Sequence, residues 1–202
     1  MSSDSAGARA PKRERGKQRV AELLEAAATV FAEKGYEAAT MTEIAARAGA
    51  PIGSLYQFFP AKEALADTLV QNYVALLAAD LQALQARAAQ LEVPALVEAL
   101  FGILRGRPRE RAAALPLAEA RMDERTRRTT FRYMLRKSIA AILLARTPQL
   151  GADQAREMAI VVLQLIKAYN LLHDEDGLAG RSSGLRELQA LAVHYVEQRL
   201  KV

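Results

Sequence analysis

The segment between Pro51 and Pro60 carries the side chains of this chain that are best suited to molecular recognition. The four-residue spacing of Leu55 and Phe59 predicts a short helix that buries one face. The opposite face would expose apolar, hydroxyl and amide groups, on Ile52, Gly53, Ser54, Tyr56, Gln57 and the rim residue Phe58. Glutamine can pair with adenine in the major groove of DNA, apolar side chains can contact thymine methyl groups, and hydroxyls can bind phosphates or base edges. The segment therefore predicts DNA recognition.

Other kinds of functional chemistry have few candidate residues. The chain has no cysteine, which excludes disulfides, thiolate metal ligands and cysteine nucleophiles. His173 lies beside the acidic run 174–176, but no second histidine has ligand spacing, so a helix-end histidine is favoured over a metal site. His194 is expected at an interface or rim. Since no catalytic motif or phosphate loop is present, we expect no metal, no cofactor and no enzymatic activity.

Two predicted helices precede this segment and would position it. Apolar residues at three- and four-residue steps predict a first helix at about residues 16–34, followed by Gly35 in a left-handed conformation with Tyr36 folded back on the last turn. Thr40 and Glu43 have the spacing of a capping box. A second helix should therefore begin at Thr40 and end near Gly49, before the turn into the third helix at about 52–59.

The N-terminal segment holds most of the positive charge. The formal net charge of the chain is +5. Residues 1–19 contain six basic residues against two acidic residues, which is +4 of that total: Arg9, Lys12, Arg13, Arg15, Lys17 and Arg19 against Asp4 and Glu14. Since residues 1 to about 13 are rich in Ser, Ala and Gly, we expect a disordered basic arm. Such an arm suggests a polyanion partner, although a solvated tail carries the same pattern.

The segment Ala39–Leu65 resembles the DNA-binding head of the TetR family of bacterial transcriptional regulators. The family pattern is T-x-x-x-I-A-x-x-A-G, then G-[ST]-L-Y-x-x-F, then K-E-x-L. It is matched here by Thr40, Ile44, Ala45, Ala48, Gly49, Gly53, Ser54, Leu55, Tyr56, Phe59, Lys62, Glu63 and Leu65. The resemblance covers roughly residues 17–65. Two positions depart from the pattern, because Ala50–Pro51 and Ala61 stand where relatives often carry a capping side chain, and an Ala cap typically loses about 1 kcal/mol.

The resemblance implies DNA-binding roles for particular residues. The residues expected to bind phosphates are Thr40, Thr42, Tyr56 and Lys62. The residues expected to face the groove are Ile52, Gly53, Ser54 and Gln57. Taken singly, each has a structural alternative, such as a cap for Thr40, a rim aromatic for Tyr56 and a solvated lysine for Lys62.

The whole chain is predicted to be all-α, with an N-terminal three-helix helix-turn-helix head joined to a larger helical body. We expect a disordered basic arm at 1–15, a helix-turn-helix DNA-binding domain at 16–62 and a helical ligand-binding and dimerisation domain at 63–202. No apolar run approaches the ~20 residues that span a bilayer. No secretory signal is apparent either. These features fit a bacterial cytoplasmic protein associated with the nucleoid, with no membrane partner.

The body is predicted to contain six helices, with a basic loop at 105–111. Their approximate ranges are 61–91, 95–104, 111–120, 123–145, 153–172 and 185–200. The fifth of these has apolar residues in the rhythm of packed helices, at Met158, Val162, Leu165, Tyr169 and Leu172. The resemblance implies that the last two helices pair with those of a second copy, and a homodimer would read the two halves of a near-palindrome. The alternative is a monomer that buries both helices in its own core.

The leading interpretation is a transcriptional regulator, more often a repressor by family resemblance, that a small lipophilic ligand releases from a palindromic operator. The expected ligand-binding residues rest on position in the body alone: Phe101, Leu104, Met134, Ile142 and Tyr169. One alternative is a DNA-binding accessory or architectural protein without a ligand. Another is a small helical enzyme, which the missing site residues disfavour.

Overall fold

The computed structural model describes residues 12–121 and 124–201, and within these ranges the regular structure is entirely helical. The all-α prediction is therefore confirmed. The described helices are α1 (Lys12–Ala38), α2 (Met41–Arg47), α3 (Ile52–Phe58), α4 (Lys62–Arg87), α5 (Val93–Arg105), α6 (Pro108–Arg121), α7 (Glu124–Arg146), α8 (Ala152–His173) and α9 (Arg181–Leu200), with a 3-10 turn at Ala88–Gln90. None of them is long and apolar enough to cross a membrane.

Two compact units divide the chain. The first consists of residues up to Gln71 together with Ala112–Ala120, and the second of Asn72–Arg111 and the residues from Arg121 onward. Helices α4 and α6 each contribute residues to both units.

The first unit is built on a core shared by α1, α2 and α3. Leu23, Ile44 and Leu55, one from each helix, are fully buried. Phe59, directly after α3, is also buried, so the predicted inward packing of Leu55 and Phe59 is confirmed. Leu117 of α6 joins the same core.

Helix α1 is interrupted at Gly35, where the first helix was predicted to end, and residues 36–38 continue it beyond the break. Gly35 has a φ of 77°, in the left-handed region that glycine adopts without steric cost. The ring of Tyr36 then folds back to within 5.7 Å of the ring of Phe31, measured between centroids. This change of direction carries the chain from α1 into α2.

Two predicted boundaries are wrong. Lys12–Arg15 is helical, although we expected it in the disordered arm, and residues 1–11 of that arm lie outside the described ranges. The expected basic loop at 105–111 is much shorter, because Arg105 ends α5 and Pro108 begins α6. A proline in the first turn lacks only an N–H that would have no acceptor within the helix. The negative charge of Glu110, in the same turn, is stabilised by the partial positive charge at this end of the helix.

The second unit buries one face each of α5, α7 and α8. Of the predicted α8 seam, Met158, Val162 and Tyr169 are buried, whereas Leu165 and Leu172 are half-buried. The buried face of α8 is broader than predicted and also includes Ala155, Ala159, Leu163 and Ile166. Large apolar side chains remain exposed on α8 and α9, at Ile160, Val161, Leu171 and Leu191.

Candidate nucleic-acid interface

Helices α2 and α3 are joined by a tight turn. Helix α2 ends at Arg47, and Gly49 takes a left-handed conformation with a φ of 59°. The N–H of Ala50 then donates to the carbonyl of Ala45 at 2.9 Å. Pro51 caps α3 through its carbonyl, which accepts the N–H of Ser54 at 2.9 Å. The result is a helix-turn-helix in which both helices have only seven residues.

The outer face of α3 is exposed, as predicted. Ile52 is 40% exposed and Tyr56 is 50% exposed, which are large fractions for an apolar and an aromatic side chain. Gly53 and Gln57 are exposed as well, and Ser54 is half-buried. The structure therefore brings the five groove- or phosphate-facing candidates of α3 onto one accessible surface.

Gly53 has no conformational role within the protein. Its φ lies outside the left-handed region, and a Cβ built on it would meet no atom within 4 Å. Glycine in a helix costs about 0.5–1 kcal/mol relative to alanine. Neither backbone conformation nor internal packing therefore requires glycine at this position.

Thr40 is committed to capping α2. Its hydroxyl accepts the N–H of Glu43 at 3.3 Å and donates to Oε2 of the same residue at 3.0 Å. The N–H of Thr40 also donates to that carboxylate, at 3.2 Å. The predicted capping box is therefore confirmed, and the single hydroxyl proton of Thr40 is already used. Thr42, two residues further along, is exposed.

Two ion pairs hold α2 against α1. Lys34 contacts the carboxylate of Glu43, and Arg47 makes a bidentate contact with Glu33, with N···O distances of 2.9 and 2.6 Å. The hydrogen bonds from Arg47 lower the pKa of Glu33, and those from Lys34 and then Thr40 lower the pKa of Glu43. Exposed pairs of this kind contribute little stability singly, but they fix the orientation of α2.

Lys62 is placed against the end of α1. Its Nζ donates to the carbonyls of Tyr36, Glu37 and Ala39 at 2.8, 3.1 and 3.0 Å. The same ammonium lies 4.5 Å from the ring centroid of Tyr36, whose hydroxyl donates to Glu63 at 2.9 Å. An ammonium has three N–H donors. In this arrangement all three donors are directed at backbone carbonyls, so Lys62 ties α4 to the end of α1, and its expected phosphate contact stays a prediction.

Unlike Lys62, four cations of the first unit have acidic partners. The pairs are Lys17–Glu14, Arg19–Glu22, Lys34–Glu43 and Arg47–Glu33. Arg15 is exposed and has no acidic partner among the residues that the structure describes. The described part of the head therefore carries little unpaired positive charge.

The residues expected to bind a ligand are only partly brought together. Phe101 and Tyr169 make an edge-to-face contact with ring centroids 5.1 Å apart, and Asn170, beside Tyr169, donates to the carbonyl of Leu104 at 3.4 Å. Ile142 is buried and Met134 is half-buried on α7. The described contacts do not join these two residues to the Phe101–Tyr169 pair.

His173 is the last residue of α8, as predicted, and its Nδ1 lies 3.4 Å from Asp174. Within the described ranges, no group of three or more His, Asp or Glu side chains is arranged to hold a metal ion.

Comparison with known proteins places this head in a defined family. Residues 23–69 match the family model of the bacterial regulatory proteins of the tetR family. Over 53 residues, the chain is 45% identical to the HTH-type transcriptional repressor KstR2 of Rhodococcus jostii and 47% identical to KstR2 of Mycobacterium tuberculosis. Each match spans 26% of this chain and 26% of the repressor, so it concerns the head alone.

Solved structures share the fold over most of the chain. A gamma-butyrolactone receptor described as ArpA-like is 26% identical, with a TM-score of 0.57, over 92% of this chain and 98% of the receptor. A TetR-family transcriptional regulator from Mesorhizobium loti is 20% identical, with a TM-score of 0.67, over 92% of this chain and 96% of that chain. The second likeness shows the fold alone.

The contacts of Lys62 predict that its replacement destabilises the protein. Lys62→Met keeps the aliphatic stem but removes three charge-assisted hydrogen bonds, so the free energy of unfolding should fall by about 1–3 kcal/mol. Urea-induced unfolding followed by circular dichroism measures this change. The control Lys17→Met removes an exposed lysine and should change stability by less than about 0.5 kcal/mol. Wild-type stability combined with weaker DNA binding would instead assign Lys62 to a phosphate.

Proposed function

We propose that the chain is a DNA-binding transcriptional repressor of the TetR family that a small ligand releases from its operator, and the match of its head to the family model supports this proposal. The exposed face of α3 carries this proposal, because it presents apolar, hydroxyl and amide groups on a helix whose other face is locked into the core. The repressors that match the head and the receptor that matches most of the chain support the same function.

We propose that α3 enters the major groove. Ile52, Ser54 and Gln57 would contact base edges, and Gly53 would allow the backbone to approach the DNA closely. The hydroxyls of Tyr56 and Thr42 would bind phosphates. Thr40 and Lys62 would act differently from the expectation based on resemblance, as positioning residues that hold α2 and α4 in place.

The positive charge for sequence-independent binding would come mainly from the N-terminal arm. The cations of the described head are largely paired with carboxylates, whereas residues 1–15 are rich in basic residues. Phosphate contacts that release counterions make affinity depend steeply on salt. Removal of the arm should therefore lower affinity for all DNA sequences alike.

The body would serve ligand binding and dimerisation. The exposed side chains of Val161, Leu171 and Leu191 would meet a second copy across α8 and α9. A two-fold dimer places two heads on two half-sites of a palindrome. Ligand bound in the body near Phe101 and Tyr169 would favour an arrangement of the heads that fits DNA less well. By linkage, DNA must weaken ligand binding by the same factor.

The function is tested by a mobility-shift titration with the natural DNA sequence upstream of the protein's own gene. We expect a sequence-specific complex that a panel of uncharged lipophilic compounds, lactones included, disrupts in part. The absence of a specific complex would contradict the proposal. Specific binding that no compound releases would support the accessory-protein alternative.

Gly53→Ala should separate binding from stability. The added methyl group meets no protein atom and favours the helix, so the free energy of unfolding should rise by about 0.5–1 kcal/mol. Operator affinity should nevertheless fall about tenfold, because the methyl group prevents close approach. Gly16→Ala is the matched control, since its Cβ also meets nothing within 4 Å but lies in α1. Unchanged operator affinity in Gly53→Ala would contradict the proposal that α3 enters the major groove.

Gln57→Ala should relax base preference at one position of each half-site. A bidentate contact with adenine discriminates by about 1–3 kcal/mol. Fluorescence anisotropy with operators substituted at single positions measures that preference, at fixed salt. The control is Gln82→Ala, an exposed glutamine on α4. A uniform loss of affinity on all operators would mean that Gln57 contacts the backbone of the DNA.

A further inference from the structure

A groove of about 500 Å³ lies between α7 and α8 in the second unit, and its lining does not include Phe101 or Tyr169. Three alanines line it, Ala140, Ala141 and Ala152, and their short side chains leave space between the two helices. Larger apolar groups line it as well, from Tyr133, Leu144 and Ile160. The volume is within the range of small-molecule sites. Since Tyr133 is 62% exposed and Ile160 is 45% exposed, this apolar surface is open to solvent.

The remaining lining residues are cationic: Arg136, Lys137 and Arg156. Arg156 contacts the exposed Asp153, one turn before it. Arg136 donates from Nε to the carbonyl of Arg132 at 3.2 Å, and neither Arg136 nor Lys137 has an acidic partner among the residues described. The groove therefore combines an apolar lining with positive charge that the described part of the chain does not neutralise.

Two neighbouring features bear on the charge around the groove. Lys167 of α8 is half-buried, and burial followed by the charges of Arg132 and Arg136 lowers its pKa. Helix α8 also begins at Ala152, which lines the groove, and its cap Gly151 offers no side chain to the first-turn N–H groups. The N-terminal end of a helix carries partial positive charge. The charges of Arg132 and Arg136 near Lys167 favour an anion near the groove, whereas Asp153 in the first turn of α8 offsets part of the charge of the helix end.

We propose that this groove binds a single-chain amphiphile with an anionic head, either a carboxylate or a phosphate. The alkyl chain covers the alanine-lined surface, and the head contacts Arg136 and Lys137. A neutral lipophile satisfies only the first of these features, and a second copy that set its own groove against this one would bring Arg136 and Lys137 close to the same cations of the other copy. The inference goes beyond the proposed repressor function, because it requires neither DNA nor ligand release.

The binding test uses a tryptophan placed in the groove. The chain contains no tryptophan, so Tyr133→Trp gives a single fluorescent reporter at the groove, and Tyr56→Trp gives a matched reporter on α3. Dodecanoate and dodecyl phosphate, below their micelle concentrations, should produce a saturable blue shift in Tyr133→Trp and none in Tyr56→Trp. Dodecanol and dodecyltrimethylammonium should bind more weakly. The stronger of the two anions identifies the head group.

Two further variants, in the Tyr133→Trp protein, decide whether the groove itself binds. Replacing Arg136 and Lys137 together by Gln should lower the affinity for dodecanoate about tenfold and leave the affinity for dodecanol unchanged, because only the ionic contact is lost. Ala141→Phe should weaken the binding of both dodecanoate and dodecanol, because the larger side chain fills the groove. Arg109→Gln, which removes an exposed charge elsewhere, should change neither affinity. Thermal unfolding confirms that each variant is folded. Equal dodecanoate affinity in all variants overturns the proposal.

The alternative occupant of the groove is a second copy of the chain. Analytical ultracentrifugation, which measures the oligomeric state, distinguishes this alternative from an amphiphile. If Ala141→Phe converts a dimer to a monomer and the wild-type protein shows no saturable shift with either anion, the groove is a subunit contact and the proposal is overturned. An unchanged oligomeric state with loss of amphiphile binding supports it.

Discussion

The recognition surface depends on the burial of Leu55 and Phe59. Helix α3 has seven residues, well below the ~12–15 at which isolated helices become even marginally stable in water. Its stability must therefore come from packing, and Leu55 is fully buried against α1 and α2. Because these two apolar side chains fix the rotation of α3 about its axis, they also determine which residues face outward. The position of Gln57 on the surface is a consequence of the position of Leu55 in the core.

Polar residues of the head are divided between holding the structure and meeting a partner. The hydroxyl of Thr40 and the ammonium of Lys62 make internal hydrogen bonds, at the start of α2 and the end of α1. Arg47 and Lys34 are paired with carboxylates between α1 and α2. The polar side chains of α3 make no comparable hydrogen bonds or ion pairs among the described contacts. Under the proposed function, a rigid frame with its own charges satisfied would leave discrimination to α3 and sequence-independent attraction to the basic arm.

Local spacing was enough to predict the capping box at Thr40, the left-handed Gly35 and the inward face of α3, since each depends on residues within one or two turns. The contacts of Lys62 could not be predicted in this way, because its partners lie more than twenty residues earlier in the chain and become neighbours only through the packing of α1 against α4. The loop expected at 105–111 was wrong because basic residues and proline are equally compatible with a first helical turn. The groove between α7 and α8 gave no sequence signal, since its alanines belong to two different helices.

The central claim is that an exposed α3, repeated by two-fold symmetry, reads DNA sequence. Selection of binding sites from a random pool of double-stranded DNA tests it most directly. We expect an inverted repeat whose half-sites are separated by about one helical turn of DNA, or a multiple of it, and whose enrichment is lost in Gly53→Ala. Recovery of no common sequence, or of an inverted repeat equally enriched by Gly53→Ala, would contradict the assignment of α3 as the reading helix.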